Sequence, residues 1–336
     1  MTATNRCAAS VGMARGEVAR CARAARPPSR PVVHDASRRL PSLTPRFGTL
    51  LRAAFPLQLR AFVLALVLGG VALAGHAQDN EQAPYRPTPQ AIVDRMLELA
   101  KVKADDYVVD LGSGDGRIVL TAATRYGARG LGVEIDRGLV RKAQQAAEAA
   151  GVADRAKFAV QDLYETPLRD VTVLTLYLLP EMNRKLLPKI MAEMQPGTRV
   201  VAQEFVVGDW PPDYQEVAAG NEEWTGWSRT RGVYLWIVPA KVGGEWRVER
   251  EGVEFPLAVE QLYQNAEARI ARGDTETEVA FRPIRGREVR FTVPASSPAA
   301  GEYVGTVEGN VMSGTWSGAG GTGGQWRAVR TKRASR

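Results

Sequence analysis

A glycine-rich turn between a short apolar segment and a helical pattern constrains the fold of this chain more than any other feature. Residues 107–111 are predicted to form a buried strand, which leads directly into Gly-Ser-Gly-Asp-Gly-Arg at 112–117. A residue without Cβ lets the backbone turn sharply and lets backbone amides approach a ligand closely. In a doubly wound sheet this turn lies at the carboxyl edge of the strands, where ligands bind. The motif therefore predicts a ligand site at such an edge.

Short apolar runs alternate with helical patterns over residues 84–240. The predicted strands are 107–111, 130–135, 157–160, 171–179 and 199–207, and the predicted helices are 117–126, 137–150 and 181–194. A further helix is predicted after Thr88 and Pro89, a capping hydroxyl followed by proline at the first helical position. This alternation predicts an α/β domain with a doubly wound, mostly parallel, Rossmann-like sheet. Segment 233–238 adds a late strand, antiparallel at or near the edge.

Beyond Pro239 the pattern changes to short alternating segments separated by Gly, Asn and Pro. These segments are 246–248, 253–257, 277–281, 289–293, 303–307 and 311–316, and 318–324 has the composition of a flexible loop. Such texture is typical of antiparallel sheets and small barrels. Residues 241–336 are therefore predicted to form a small, all-β, barrel-like antiparallel domain.

The first 77 residues have a different character. Residues 1–60 are rich in Arg, Ala and Pro without a helical or strand period, and are predicted to be disordered. The apolar run 61–75, which follows Arg52 and Arg60 and precedes small residues up to Ala77, has the layout of a signal peptide. Its length favours a cleaved signal over a membrane span, which needs about 20 residues. We expect export to the periplasm; a membrane anchor, a mitochondrial transit peptide and a cytoplasmic location are the alternatives.

Charge and residue usage exclude several function classes. Residues 1–78 carry 11 Arg and only two acidic residues, a charge of +9, and the remainder is close to −2, which gives the net charge of +7. The body therefore has no general basic character, and nucleic acid is not expected as a partner. All Cys and His residues also lie in the leader, at Cys7, Cys21, His34 and His76. The body therefore lacks thiol nucleophiles, imidazole bases and the usual zinc ligands, and no metal is expected.

Two carboxylates distinguish between possible ligands of the glycine turn. Glu134 follows Gly112 by 22 positions, at the end of the next predicted strand, where a carboxylate can bind the hydroxyls of a ribose. Asp110 comes directly before the glycine turn. A carboxylate there would repel a pyrophosphate, whereas it can accompany a sulfonium amino acid. The sequence motif thus resembles that of class I S-adenosylmethionine-dependent methyltransferases.

Several segments carry a closer resemblance. They are Tyr-Arg-Pro-Thr-Pro at 85–89, the turn at 110–117, Gly-Val-Glu-Ile-Asp at 132–136, Thr-Leu-Tyr-Leu-Leu-Pro at 175–180 and Gly-Asp-Trp at 208–210. They are similar to small prokaryotic methyltransferases related to the mitochondrial lysine methyltransferases of the ATP synthase c-subunit and the adenine nucleotide translocase. The resemblance covers roughly 84–240 and implies protein-lysine methylation with S-adenosyl-L-methionine as cofactor.

The resemblance also implies residue roles. The methionine end of the cofactor would lie against Asp110, Gly112, Ser113, Gly114, Asp115 and Gly116, the ribose against Glu134, and the adenine near Asp162 and Leu163. Tyr85 would close over the cofactor. Tyr177, at the end of the fourth predicted strand, would line a channel for a lysine side chain, although it could merely pack. Glu204 and Asp209 are candidate carboxylates near that channel, with a structural or solvated role as the alternative for each.

Two other functions stay open from the residues alone. One is a methyltransferase for a small molecule or lipid, since no residue chemistry specifies lysine. The other is an exported, non-catalytic binding protein that retains the fold, because the cofactor is made in the cytosol. The sequence favours a protein as the methyl acceptor, and its N-terminal apolar segment favours a location close to a membrane.

Overall fold

The computed structural model describes residues 85–219 and 230–334. The predicted leader at 1–60, the signal segment at 61–77 and residue 84 lie outside the described residues. Within the described ranges, no helix is both long and apolar enough to cross a membrane.

An α/β domain occupies the first part of the described chain. Its helices are α1 Gln90–Leu99, α2 Arg117–Tyr126, α3 Arg137–Ala149 and α4 Pro180–Glu193. Its strands are β1 Tyr107–Leu111, β2 Arg129–Glu134, β3 Ala156–Val160, β4 Val173–Leu176, β5 Arg199–Gln203, β6 Tyr214–Ala219 and β7 Thr230–Ile237. The described strands form a sheet in the order β3-β2-β1-β4-β5-β7-β6.

The sheet topology determines where a ligand can bind. Strands β1 to β5 run parallel, and β7 pairs antiparallel with both β5 and β6. From β1 the chain continues to β2 and β3 on one side, and then crosses to β4 on the other. This reversal opens a crevice at the carboxyl ends of β1 and β4, which is the usual ligand site of open α/β sheets. The predicted fold class is confirmed.

Apolar side chains cover both faces of the sheet. Val109 and Leu174 pack with Leu186 of α4 on one face, whereas Val108 packs with Met96 of α1 on the other. Successive strand residues point to opposite faces, so strands buried on both sides are apolar almost throughout. The polar Asp110 interrupts this run at the carboxyl end of β1, where it faces the crevice.

The second domain is a closed antiparallel barrel. Its strands are β8 Gly244–Arg250, β9 Val253–Leu262, β10 Asn265–Arg272, β11 Thr275–Phe281, β12 Glu288–Val293, β13 Gly301–Glu308, β14 Val311–Ser317 and β15 Gly323–Arg333. They close in the order β10-β11-β12-β13-β14-β15-β8-β9. The interior is filled by aromatic rings, among them Phe291, Tyr303 and Trp326, whose centroids lie 4.7 to 5.7 Å apart. The barrel interior is therefore a packed core.

Some predicted elements end earlier than expected or were missed. β4 ends at Leu176 because the chain turns into α4, and β5 ends at Gln203 because Glu204 adopts a left-handed φ of 70°. The predicted helix cap at Thr88 is wrong: Pro89 occupies the N-cap of α1, and no side-chain hydrogen bond caps it. Strands β6, β10 and β15 were not predicted, and β15 begins within the predicted loop 318–324.

Candidate active site

A pocket opens at the carboxyl ends of β1 and β4, with a volume of about 340 Å³ including its open mouth. Seven predicted site residues line it: Tyr85, Asp110, Gly112, Ser113, Gly114, Asp115 and Tyr177. Five other lining residues were not assigned to the site from the sequence: Arg86, Pro87, Thr88, Arg117 and Ile118. The glycine turn, the segment before α1 and the end of β4 therefore meet at one place.

The glycine turn leaves no room for a side chain at Gly112 or Gly114. Gly114 has a φ of 54°, and a Cβ atom there would lie 2.5 Å from Cε2 of Tyr85. A Cβ atom on Gly112, whose φ is 78°, would lie 2.8 Å from Cδ2 of Leu178. Glycine is required at both positions for its backbone conformation and for the close approach of neighbours. The Tyr85 ring thus lies directly over the turn that leads from β1 to α2.

Asp110 is the most electrostatically perturbed group of the pocket. Its side chain is 3 % exposed, and its Oδ1 accepts a 2.7 Å hydrogen bond from Oγ1 of Thr175, which is fully buried. Burial raises the pKa of Asp110 to about 7, and the charges of Glu134 and Asp115 add to the rise, while the Thr175 hydrogen bond opposes it. A cation in the pocket would favour the ionised form of this carboxyl.

Glu134 is oriented by backbone amides. Its Oε2 accepts a 3.0 Å hydrogen bond from N of Gly114, and its Oε1 accepts from N of Ile135 at 2.8 Å and of Asp136 at 3.1 Å. The carboxylate at the end of β2 is therefore fixed against the glycine turn. A carboxylate has about four lone-pair sites, so acceptor capacity remains for a ribose hydroxyl.

Arg117 links the glycine turn to the segment that precedes α1. Its Nε and Nη2 donate to the two carboxylate oxygens of Asp115 at 2.9 and 2.7 Å, and its Nη1 donates to the carbonyl of Thr88 at 2.7 Å. The hydrogen bond from Arg117 holds the pKa of Asp115 below its ordinary value, and Tyr85 also bonds to this carboxylate. Arg117 was not assigned to the site from the sequence, although an Arg two residues after an acidic loop residue could have indicated a local ion pair.

The remaining predicted cofactor residues do not line the pocket itself. Gly116 has a left-handed φ of 80° and occupies the N-cap of α2. Asp162 accepts a 2.8 Å hydrogen bond from N of Tyr164 and thereby caps the short 3-10 turn that begins at Leu163. Asp162 and Leu163 follow β3, the strand that neighbours β2.

Tyr177 and Glu204 form a hydrogen-bonded pair beyond the ends of β4 and β5. The Tyr177 hydroxyl donates to Oε2 of Glu204 at 2.8 Å. Burial, with this hydrogen bond, raises the pKa of Tyr177 well above its ordinary value, so the phenol stays neutral at physiological pH. Glu204 lies at the centre of a γ-turn closed by a 2.8 Å hydrogen bond from N of Phe205 to the carbonyl of Gln203. A γ-turn with positive φ is rare and strained, and such strain is concentrated at functional sites.

Asp209 has a different environment from Glu204. Its Oδ1 accepts a 2.5 Å hydrogen bond from the hydroxyl of Tyr263, which belongs to the barrel domain. Among the two candidate carboxylates, Glu204 is the one paired with the pocket residue Tyr177.

The residues of the pocket fit S-adenosyl-L-methionine. The buried Asp110 suits its positive charge, and the oriented Glu134 suits its ribose. Ser113 is 6 % exposed, and its Oγ has no hydrogen-bond partner in the described part of the chain, so it can donate to the cofactor's carboxylate. When bound, this cofactor supplies an activated methyl group for an in-line displacement, for which positioning provides most of the catalysis.

Comparison with known proteins agrees with this geometry. The family model described as the ANTKMT methyltransferase domain matches residues 110–214, which end before the barrel. A protein-lysine N-methyltransferase of Saccharolobus islandicus is 42 % identical over 157 residues, which are 46 % of this chain and 93 % of the relative. A lysine N-methyltransferase of the ATP synthase c-subunit, from Xenopus laevis, is 32 % identical over 142 residues, 42 % of this chain and 62 % of that protein.

A similar solved structure is that of an RNA methyltransferase from Salinibacter ruber in complex with S-adenosyl-L-homocysteine. Its sequence is 47 % identical to this chain, and the match covers 47 % of this chain and 96 % of that protein, with a TM-score of 0.43. The archaeal relative is covered almost throughout, at an identity that establishes common family membership. The chain therefore belongs to the ANTKMT methyltransferase family and is an S-adenosyl-L-methionine-dependent methyltransferase.

Proposed function

We propose that this enzyme transfers methyl groups to lysine side chains of a protein. The observation that carries the proposal is the pairing of Tyr177 and Glu204 at the carboxyl ends of neighbouring strands, with Tyr177 in the wall of the pocket. The similarity to enzymes named protein-lysine N-methyltransferases supports the same acceptor.

The chemistry of a lysine acceptor explains why such a pair is useful. A lysine side chain arrives as an ammonium ion, and only its neutral amine can attack a methyl group. Releasing its proton at pH 7 costs about 4.6 kcal/mol from an unperturbed pKa near 10.4. A desolvating pocket lowers the pKa of the amine and so removes part of this cost, and a carboxylate within reach can accept the released proton. Glu204 provides such a carboxylate, which can also bind the arriving ammonium ion.

Tyr177 complements this carboxylate without acting as a base. Because its pKa is raised, its hydroxyl remains protonated and keeps donating to Glu204. The aromatic face and the phenol oxygen remain available to a cation and an N–H donor, respectively. We therefore assign Glu204 to ammonium binding and proton acceptance, and Tyr177 to orienting the amine.

We also propose roles for the cofactor-binding residues. Asp110, Ser113 and the backbone of Gly112, Gly114 and Gly116 would hold the methionine end, with Asp115 and Tyr85 forming its cover. Glu134 would hold the ribose. Asp162 and Leu163 would flank the adenine, since they follow the strand next to Glu134.

Transfer of a labelled methyl group tests the proposed acceptor. The full-length enzyme is incubated with tritium-methyl-labelled S-adenosyl-L-methionine and a cell extract divided into protein, lipid and RNA fractions. We expect label in protein, recovered as methyl-lysine after acid hydrolysis. Label recovered mainly from lipid, RNA or small molecules, or none at all from an enzyme that binds the cofactor, would contradict the proposal.

Two substitutions connect the transfer to the proposed pair. Tyr177→Phe and Glu204→Gln are expected to lower transfer to protein at least tenfold while cofactor affinity changes less than twofold. Tyr214→Phe is a matched control, because its hydroxyl donates to Glu216 at 3.3 Å outside the pocket lining. Equal activity of all three variants would remove the pair from the mechanism.

We further propose that the enzyme is exported, on the strength of the apolar run 61–75 and its flanking residues. Cell fractionation with mass spectrometry of the protein's N-terminus tests this location. We expect periplasmic protein whose N-terminus lies just after Ala77. Unprocessed protein in the cytosol would contradict export.

A further inference from the structure

The barrel domain contacts the segment that carries Glu204. We call residues 204–213, between β5 and β6, the acceptor loop. Two residues of the turn between β9 and β10, Tyr263 and Gln264, bond to the far part of this loop. The contact therefore joins the acceptor side of the proposed active site to a domain whose role is otherwise unassigned.

Three hydrogen bonds define the contact. The Tyr263 hydroxyl donates to Oδ1 of Asp209 at 2.5 Å. Nε1 of Trp210 donates to Oε1 of Gln264 at 2.8 Å, and Nε2 of Gln264 donates to the carbonyl of Pro211 at 2.7 Å. The amide of Gln264 thus uses its acceptor and its donor on neighbouring residues of the same loop. Such two-point recognition fixes both the position and the direction of the loop.

Burial makes the two hydrogen bonds of Gln264 strong constraints, whereas the bond from Tyr263 to Asp209 is exposed. Gln264 is 4 % exposed and Trp210 is 1 % exposed, so a lost partner would leave a polar atom without water. Trp210 also stacks on Tyr263, with ring centroids 6.3 Å apart, and its carbonyl accepts a 2.9 Å hydrogen bond from Nε1 of Trp236. The carbonyl of Gln264 accepts from N of Ile284 at 2.7 Å, which ties the turn to the rest of the barrel.

Backbone conformation at this turn is unusual. Tyr263 has a φ of 56°, in the left-handed region where glycine or asparagine is normally found. A bulky residue in this conformation is strained. A tyrosine there indicates that its side chain is needed, and its visible contacts are with Asp209 and Trp210.

The near part of the acceptor loop is held by the α/β domain. Nδ2 of Asn183, in α4, donates to the carbonyls of Phe205 and Val206 at 3.4 and 3.2 Å. N of Glu204 donates to the carbonyl of Gly232 at 2.7 Å. The strained Glu204 is therefore followed by a loop that is fastened at one end by α4 and at the other by the barrel.

We propose that the barrel domain positions the acceptor loop, with Tyr263 and Gln264 as positioning residues for Glu204. The proposal rests on the function proposed for Tyr177 and Glu204. It assigns the barrel an indirect part in methyl transfer, through the position of Glu204, and none in cofactor binding, because these contacts lie on the loop after β5.

Tyr263→Phe is the most specific test, because it removes one hydroxyl and keeps the stacked ring. Tyr303→Phe is its matched control in the same barrel: that hydroxyl donates to the carbonyl of Ala299 at 2.7 Å, inside the core. Both variants are measured in the full-length enzyme, with hydrogen exchange of peptides from 203–213, cofactor titration, and labelled methyl transfer to the protein extract.

We expect Tyr263→Phe to accelerate hydrogen exchange in 203–213 and to lower transfer about five- to tenfold, the loss expected for one hydrogen bond. Cofactor affinity should be unchanged, and Tyr303→Phe should alter neither the exchange of this loop nor transfer. Gln264→Ala, which removes both the acceptor for Trp210 and the donor to Pro211, should accelerate this exchange and lower transfer at least as much as Tyr263→Phe.

Two results would overturn the inference. One is unchanged exchange of 203–213 in Tyr263→Phe, because the loop would then not depend on the barrel contact. The other is accelerated exchange with transfer equal to that of Tyr303→Phe, because the contact would then serve only packing. If the wild-type enzyme transfers no methyl group to lysine, the proposed function fails, whereas the exchange measurement still decides whether the barrel holds the loop.

Discussion

The hydroxyl of Thr175 donates a 2.7 Å hydrogen bond to the carboxyl of Asp110, at the point where β4 and β1 end side by side. The two residues are 65 positions apart in the sequence and are brought together by the crossover that creates the crevice. This single bond only partly offsets the effect of burial, which leaves Asp110 with a pKa of about 7. The pocket thus contains a carboxyl poised to ionise near physiological pH.

The pH dependence of stability should reveal this carboxyl. An unfolded Asp loses its proton near 3.8, whereas folded Asp110 keeps it up to about 7. Within that window the folded state binds more protons, so the cofactor-free enzyme loses stability as pH rises. At pH 8, Asp110→Asn should therefore unfold at a higher urea concentration than the wild type. The free energies of unfolding of the two proteins should differ by a few kcal/mol at this pH and be equal near pH 4.

Asp106→Asn provides the opposite case. Burial alone would raise the pKa of Asp106, but hydrogen bonds from Arg199, Thr172 and the backbone of Lys103 outweigh it and lower the pKa. Asp106→Asn should thus destabilise the enzyme at pH 8. If both Asn variants were destabilised at pH 8, Asp110 would not have a raised pKa.

Cofactor binding should be coupled to the ionisation of Asp110. A cationic ligand favours the carboxylate, so affinity for S-adenosyl-L-methionine should increase between pH 6 and pH 8 as the proton is lost. Calorimetry at pH 6 in two buffers of different ionisation enthalpy measures the protons released. The wild type should release more protons than Asp110→Asn, and identical release would show that Asp110 does not ionise on binding.

Gly114→Ala should disrupt the cofactor site through the backbone and through Tyr85. The new Cβ atom would lie 2.5 Å from the Tyr85 ring at a φ of 54°, so we expect cofactor affinity to fall more than tenfold. Gly151→Ala is the control, with a φ of 67° and open space around its Cβ. It should cost about 1 kcal/mol of stability without changing affinity. Equal affinities of the two variants would contradict the close fit of the turn.

Because the backbone at Glu204 is strained, substitutions there should change stability and methyl transfer independently of each other. Glycine adopts positive φ freely, so Glu204→Gly should be more stable than Glu204→Ala by about 1 kcal/mol, while both lose methyl transfer. Glu251, with a φ of 43° in the β8–β9 turn, offers a parallel pair of variants. Those should show the same stability difference with full activity. Transfer that survives in Glu204→Gly would exclude a role for the carboxylate.

The sequence located those parts of the fold and site that depend on local pattern. β1 was predicted with its observed bounds because an apolar run ends at a polar residue and glycines. The relation between Glu134 and Gly114 follows from a strand, a turn and a helix of standard length, so spacing alone indicates it. Strand β10 was missed because charged residues dominate its exposed face and leave few apolar positions to reveal alternation.

Contacts between distant segments could not be read from such patterns. The pairing of Tyr177 with Glu204 requires β4 and β5 to be neighbours and requires a γ-turn that no composition rule predicts. The bond from Tyr263 to Asp209 joins residues 54 positions apart in different domains. Neither residue carries a local signal of its partner, so the barrel's contact with the acceptor loop emerges only from the structure.

The closure of the barrel has a consequence for the order in which the enzyme assembles. Within the barrel, each strand pairs with its neighbour in sequence except at the seam, where β15 meets β8 and Ala328 pairs with Val248, about 80 residues away. Contacts so distant in sequence form slowly, and until they form both strands expose open edges that can pair with other chains. A chain interrupted before Gly323, where β15 begins, would leave the edges of β8 and β14 open, so we expect it to aggregate more readily than the full chain.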